Sequence, residues 1–339
     1  MFSIAQLKQQ IIHRFWYRSN RMSWLLSPFS MLFKLFAGFR RWYLTTYRQR
    51  HFKVPIIVVG NITVGGVGKT PLVIALAKAL ESRGLRVGIV SRGYRSRASS
   101  FPHEVSPQED AHLVGDEPLL IAKNTTCPVV IDPCRPDAVS YLLEHYNSDV
   151  IISDDGLQHY ALGRTMEIVV VDGVRKFGNG FCLPAGPLRE PISRLDEADI
   201  VVVNQALKTT EEPIIQGRKS FAMTFCPQDL IHLKTGKTVH LNTLVGPVGA
   251  IAGIGHPQRF FSMLEELGLQ FNAYSFDDHH HYLPSDFSQI EKCLVMTEKD
   301  AVKCQSWATD SMYYLPIDVS LDDEFWGVFW SHKQLQGLI

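Results

Sequence analysis

Short apolar runs alternate with amphipathic stretches along the chain, in the rhythm of strand, turn and helix. The clearest unit is Val54–Leu80. Its β-branched run, Ile56–Val59, reads as a strand buried on both faces. A glycine-rich turn runs from Gly60 to Gly68, followed by Lys69 and Thr70. From Pro71 the period becomes helical, with Leu72, Ala75, Leu76, Ala79 and Leu80 on one face. The pattern predicts further strands at Val87–Val90, Pro128–Ile131, Val150–Ser153, Ile168–Asp172 and Ile200–Asn204. It predicts helices over Leu119–Lys123 and Arg135–Tyr146, and a polar loop over Ser96–Gln108. From about Phe225 it restarts, with β structure in Asp229–Val239, Val248–Ile254, Asn272–Phe276 and Leu294–Thr297. Helices are expected there over Gln258–Leu267 and Pro284–Glu291, and a last one over Asp323–Leu335.

The order strand, Gly-Gly-x-Gly-Lys-Thr, helix is that of a phosphate loop, and a bare βα turn does not call for it. The glycines let backbone N–H groups converge on phosphate oxygens at a helix N-terminus. Thr63, Val64, Gly65, Gly66, Val67, Gly68, Lys69 and Thr70 are the expected nucleotide contacts. Lys69 would reach the β- and γ-phosphates, and the Thr70 hydroxyl would sit on Mg²⁺. Thr63 stands where the strict G-x-x-x-x-G-K-[ST] pattern has its first glycine. The fold class is therefore α/β, a P-loop NTPase-like, mostly parallel sheet with flanking helices, followed by a smaller α/β domain. The expected division is an N-terminal helical segment at 1–53, a core at 54–224, the smaller domain at 225–320, and a C-terminal helix at 321–339 that returns to the core.

Charge changes the picture at the N-terminus. Residues 1–53 hold ten of the 34 Lys/Arg and none of the 34 Asp/Glu. They are also rich in aromatics, Trp24, Phe29, Phe33, Phe36, Phe39 and Trp42 among them. The longest uncharged stretch, Met22–Phe33, is about half of the roughly 20 residues a membrane span needs. An amphipathic or partly embedded anchor on anionic lipid fits this composition. A helix packed on the protein's own core is the plainer alternative. Nucleic acid is not expected, since no groove-reading motif accompanies the charge. The six cysteines are scattered without a C-x-x-C pair, as in a reducing compartment.

Several motifs close strands or open helices. Asp154 and Asp155 end an apolar strand, as in a Walker B arrangement, and are candidate Mg²⁺ ligands with Thr70. Asp116 lies just before the Leu119–Lys123 helix and is either an N-cap or a general base or metal ligand. Arg189, in a Gly/Pro-rich connection, either clamps a phosphate or makes a surface salt bridge. The run Asp277-Asp278-His279-His280-His281 could be a metal site, a solvated loop, or one histidine oriented by a carboxylate at the interdomain cleft. Arg92, Glu117, Arg135, Glu298, Lys299 and Asp300 complete the candidates. No Lys-x-Asp follows Asn204, which points to ATP rather than GTP.

The segments Val58–Pro71, VSRGY (Val90–Tyr94), GDEP (Gly115–Pro118), SDDGLQH (Ser153–His159), LPAGPLRE (Leu183–Glu190), AGIGHPQRFF (Ala252–Phe261), DHH (Asp278–His280) and TEKDAVK (Thr297–Lys303) resemble, in order, those of the tetraacyldisaccharide 4′-kinase family. These are the lipid A 4′-kinases of Gram-negative bacteria, and the likeness spans essentially the whole chain. It accounts for Thr63, because the family's loop is G-N-x-x-x-G-G-x-G-K-T. The resemblance implies transfer of the ATP γ-phosphoryl group to the 4′-hydroxyl of a tetraacyl glucosamine disaccharide 1-phosphate. The product is the bis-phosphorylated lipid A precursor, lipid IVA, in lipopolysaccharide biosynthesis. It also implies Asp116 paired with His279 or its neighbour His280, Asp154 and Asp155 near Mg²⁺, and Arg189 near the phosphates or acceptor. The place implied is the cytoplasmic face of the inner membrane, peripheral or monotopic, on anionic lipid, with no obligate protein partner. The alternative is a membrane-associated P-loop ATPase that positions protein partners. The extra lysine of that class would fall at Val64.

Overall fold

Helices cover both faces of a nine-stranded sheet, which is why its central strands are apolar on both sides. The computed structural model describes residues 15–17, 21–205, 214–215, 217–244 and 246–338. The sheet order is Ile317–Leu321, Phe221–Pro227, Ile200–Gln205, Met166–Asp172, Ile56–Gly60, Val150–Ser153, Val87–Ser91, Val129–Ile131 and His103–Glu104. The seven strands from Phe221–Pro227 to Val129–Ile131 are parallel, and the two edge strands are antiparallel. On one face Leu72, Leu76 and Leu80 pack with Leu119, Phe325 and Phe329 against Ile57 and Val59. On the other, Ala138, Val139 and Leu142 of helix Arg135–Tyr146 cover Ile56 and Val58. A second cluster there joins Ile62, Leu157, Phe177 and Leu188.

The second sheet runs Thr238–Val239, Leu230–His232, Met312–Leu315, Cys293–Thr297, Val248–Ala252 and Phe271–Ser275. Its last four strands are parallel. Helix Pro257–Glu266 packs on one face, and Ala301 and Cys304 of helix Glu298–Cys304 on the other. Strand Phe221–Pro227 crosses the residue 224/225 boundary, and Ile317–Leu321 returns to the first sheet. Both sheets turn the C-terminal ends of their parallel strands toward one seam, where open α/β sheets bind ligands.

Four expected elements differ. The loop expected over Ser96–Gln108 carries a short edge strand, His103–Glu104. Pro284–Glu291 is not a helix: only a 3₁₀ turn, Pro284–Phe287, forms. The Asp286 carboxylate accepts from Leu283 N at 2.9 Å and faces His280 Nε2 at 3.1 Å, so a local polar turn replaces the helix. The helix expected from Leu119 begins at Asp116 and runs to Asn124, behind Gly115 at φ +94°. Asp116 is thus the first helical residue and not the N-cap. The final helix is two, Asp323–Ser331 and Lys333–Gln336, broken at His332.

At the N-terminus, helices Arg21–Leu25 and Ser27–Tyr47 lie over the first domain. Lys8, Arg14 and Arg18 fall outside the described residues. The longer helix, about 30 Å by its rise, buries only Ser30, whose Oγ donates to Cys182 O at 2.7 Å. Phe33 packs on the core, while Leu32, Leu35, Phe36 and Phe39 are between 61% and 69% exposed. It is therefore not a core helix. Among the described residues, no helix is long and apolar enough to cross a membrane.

A buried polar chain steadies the floor of the seam. Arg194 Nη2 grips both Glu167 oxygens at 2.6 Å, and its Nε donates to Tyr160 Oη at 3.2 Å. Tyr160 bonds Glu190, and Gln158 links Glu190 at 2.9 Å to the Asn61 carbonyl at 3.0 Å. Neutralising Glu167 strands a guanidinium that is almost wholly buried. Glu167→Gln is expected to lower stability by about 3 kcal/mol in urea unfolding; a loss below about 1 kcal/mol would show the chain to be dispensable.

Candidate functional site

The phosphate loop is built from both directions. Gly65 and Gly68 sit at φ +103° and +92°, which a side chain resists. A Cβ on Gly68 would lie 2.4 Å from Asn204 Nδ2, the group that holds the Val67 carbonyl at 2.8 Å. Asn61 Nδ2 bonds Thr63 O at 2.8 Å, and Val64 N bonds Pro187 O at 2.8 Å. Arg189 N closes the ladder on Ile62 O at 2.7 Å. The loop's shape is thus set before any ligand enters. Thr70, buried, is the second residue of helix Lys69–Glu81.

Lys69 Nζ rests 3.1 Å from Asp155 Oδ1 and 3.2 Å from Asn61 Oδ1. Arg189 Nη1 reaches Asp155 Oδ2 and Gln158 Oε1 only at 3.5 Å each. Against the cost of burial, Lys69, Arg189 and Arg135 hold the Asp155 carboxyl well below its usual value. Asp154 is the opposite case. Burial, with Glu117 and Asp155 nearby, pushes its carboxyl up to about 7. Both its oxygens are buried without a hydrogen-bond partner among the described residues. Arg135, fully buried, spends Nη2 on the carbonyls of Asp154 and Asp155, at 2.7 and 3.1 Å. No group of three or more His, Cys, Asp or Glu side chains with metal-ligand placement occurs among the described residues. Mg²⁺ needs no such cage, because phosphates and waters complete its shell around one or two carboxylates. An unsatisfied buried carboxylate beside a phosphate loop fits that ion.

Across the seam, His279 Nδ1 lies 2.8 Å from Asp116 Oδ2 and 3.0 Å from Oδ1. His279 adopts φ +59°, an unusual backbone for a non-glycine residue. Its carbonyl accepts from Arg95 Nη1 at 3.1 Å, and its ring packs on Tyr94. His280 turns away to Asp286, and His281 meets His112 edge to face. Lys299 sits among three carboxylates: Glu117 at 2.8 Å, Asp278 at 3.4 Å and Asp116 at 3.8 Å. Burial alone would raise the Asp116 carboxyl; Lys299 and the His279 hydrogen bond outweigh it and hold the group low. The same carboxylates raise Lys299 against its own burial.

The remaining candidates separate. Glu298 is held by Asn124 Nδ2 at 2.8 Å and faces the smaller of two cavities. Asp300 is fully buried inside the second unit, joining Thr297 Oγ1 at 2.6 Å, Gly253 N at 2.8 Å and Lys303 at 2.7 Å. Arg92 is exposed on the rim of the larger cavity. The smaller cavity, about 180 Å³, lies between Gly66–Thr70 and residues Ile254, Arg259 and Glu298. The larger, about 780 Å³, joins Lys69, Asp116 and His279 to the exposed helix at Phe33, Phe36 and Arg40. Asn61 and Gln158 receive no role in the motif reading, and Asp278 enters it only as part of the Asp/His run. The Gly-Asn pair that ends strand Ile56–Gly60, and the carboxylate next to the histidines, were the available signals.

A family model described as Tetraacyldisaccharide-1-P 4′-kinase matches residues 22–333. The tetraacyldisaccharide 4′-kinase of Legionella pneumophila (strain Corby) is 52% identical over 326 residues, covering 96% of this chain and 98% of that protein. The enzyme of the same name from Nitrosococcus oceani is 46% identical over 319 residues, covering 93% and 92%. A crystal structure of LpxK from Aquifex aeolicus in complex with ATP superposes with a TM-score of 0.76 at 29% identity, covering 93% of this chain and 99% of that one.

Asp154 binds its proton more tightly folded than unfolded, so its contribution to stability falls as pH rises from about 4 to about 7. Asp154→Asn removes that penalty. The ligand-free variant is expected to be more stable than the parent at pH 8, with the gap closing toward pH 5, in paired denaturant titrations. A pH-independent difference would mean that Asp154 ionises normally.

Proposed function

The chain belongs to the tetraacyldisaccharide-1-P 4′-kinase family, and we propose that the seam between its two sheets is the site of that reaction. It is a lipid kinase that uses ATP to phosphorylate the 4′-hydroxyl of a tetraacyl disaccharide 1-phosphate. The observation that carries the assignment of the site is the larger cleft. It runs without a break from the exposed apolar helix to Lys69, Asp116 and His279. An acyl-chain substrate stays in lipid, so its sugar has to be reached from a surface.

In this reading the ATP polyphosphate lies along Gly65–Thr70, with the nucleoside toward the smaller cavity. Lys69 exchanges Asp155 for the phosphates, and the loosely held Arg189 follows the same charge. Asp154 and Thr70 would hold Mg²⁺, which neutralises charge on the phosphates when bound. The acceptor oxygen attacks the γ-phosphorus, its bond to the β-phosphate oxygen breaks, and ADP leaves. Asp116 takes the hydroxyl proton, oriented by His279 Nδ1 and kept ionised by Lys299. A weak base suffices, because the loose transition state delays proton loss. The alternative of an ATPase that positions proteins has no observation in its favour: Val64 is not lysine, and its N–H is spent on Pro187 O.

The exposed helix is the membrane contact in this reading, on the ATP-supplied cytoplasmic face of the inner membrane. The apolar face supplies most of its binding. Of the basic residues, Arg41 and Arg50 are spent on Glu197 and Asp137, leaving Lys34, Arg40, Arg48 and Lys53 without an ion-pair partner among the described residues.

Asp116→Asn is expected to lower kcat by about 10²–10⁴-fold while the KM for ATP stays near the parent value. Unchanged kcat, measured as transfer of labelled phosphate to the disaccharide lipid, would remove Asp116 from the chemistry. Leu32, Phe36 and Phe39 changed together to Ser should release the protein from vesicles of 30% anionic lipid in a flotation assay, about one Leu-sized burial of 1.5–3 kcal/mol each. Retention on the vesicles would place the anchor elsewhere.

A further inference from the structure

Several contacts join the second unit to the first, and the ion pairs among them fall at two places beside the smaller cavity. One is the cluster of Lys299 and His279 with Asp116 and Glu117. The other is a buried carboxylate at the end of strand Met166–Asp172. Asp172 Oδ1 accepts the N–H groups of Val174 and Arg175 at 3.0 and 2.9 Å. Its Oδ2 accepts Arg175 Nε at 3.0 Å, and Arg175 Nη2 donates onward to the Gly66 carbonyl at 2.6 Å. From the first turn of helix Pro257–Glu266, Arg259 brings Nη2 to 3.2 Å from Asp172 Oδ1. One carboxylate therefore ties a phosphate-loop glycine to a helix of the other unit.

Arg259 is well suited to a fixed seat. Its side chain is only 10% exposed and lies 5.7 Å from the Phe225 ring centre. Nearby, a Cβ on Gly255 would meet Gly66 N at 2.9 Å, so the Gly253–His256 turn rests directly on the phosphate loop. The link from this seat to the acid–base pair is a rigid one. Strand Val248–Ala252 leads to Arg259 and pairs in parallel with Phe271–Ser275, which leads to His279. Among the described residues, Arg259–Asp172 is the ion pair between the units that lies outside the Lys299–His279 cluster.

We propose that Arg259 is a positioning residue that, by docking on Asp172, sets the angle of the second unit and hence the meeting of His279 with Asp116. This rests on the reading of Asp116 and His279 as the acid–base pair. Loss of the seat loosens the second unit where it meets the phosphate loop, and a misplacement of about 1 Å at a reacting centre costs on the order of a hundredfold.

The test is a double-mutant cycle on kcat, with ATP and the tetraacyl disaccharide 1-phosphate in detergent, using Arg259→Gln, His279→Ala and the pair. Arg259→Lys is measured in both backgrounds as well, and stands in if the glutamine variant fails to fold. Arg259→Gln is expected to lower kcat about 10–100-fold with His279 present and less than about twofold when it is Ala. The lysine variant should show the same collapse from a smaller loss. Equal fold-losses in both backgrounds overturn the inference and leave the site reading standing, provided His279→Ala is itself slow. A defect confined to the KM for ATP also overturns it, making Arg259 a nucleotide contact. A His279→Ala enzyme with the parent kcat overturns both.

Discussion

The structure depends on charge balance at a seam that neither unit can satisfy alone. Asp116 and Glu117 come from the first, Lys299, Asp278 and His279 from the second. Lys299 is largely buried, and three carboxylates surround it. Separating the units would leave those groups to find water or protons instead. Within this cluster, the contacts that join the units are also the ones that bring His279 to Asp116. The low proton affinity of Asp116 is a property of the assembled seam, since its chief causes, Lys299 and His279, lie on the other unit.

The phosphate loop has a second support, the connection from Gly173 to Glu190. At one end it holds Val64 and Ile62 through Pro187 O and Arg189 N. On its outer side it receives the N-terminal segment, with Asn179 N bonded to Trp16 O at 2.8 Å and Cys182 O to Ser30. Trp24 packs edge-on to Phe181. The exposed N-terminal helix and the glycine-rich loop are therefore separated by one ordered connection. Its length and its Gly/Pro content follow from having two surfaces to serve.

Much of this was legible because it is local. Residue type and period mark Ile56–Gly60, the glycine turn and helix Lys69–Glu81, and the two carboxylates after Val150–Ser153. What was not legible depends on distant partners. Nothing near Ile317–Leu321 says that it pairs with Phe221–Pro227, across the whole second unit. The choice between His279 and His280 turns on a left-handed backbone at His279 and on Asp286, which draws His280 away. The helix expected at Pro284–Glu291 fails because Asp286 prefers the turn. Asp154 and Asp155 look alike in sequence, yet one is held by two cations and the other has none in hydrogen-bond reach.

The central claim is that Asp116 and His279 act as one unit across the seam. It is tested most directly by kcat for Asp116→Ala, His279→Ala and the double variant, at saturating ATP and disaccharide lipid. If the two work as a unit, the double variant is no more than about threefold slower than the slower single one. If the two losses multiply, the residues act independently, and the account of a shared acid–base pair is wrong.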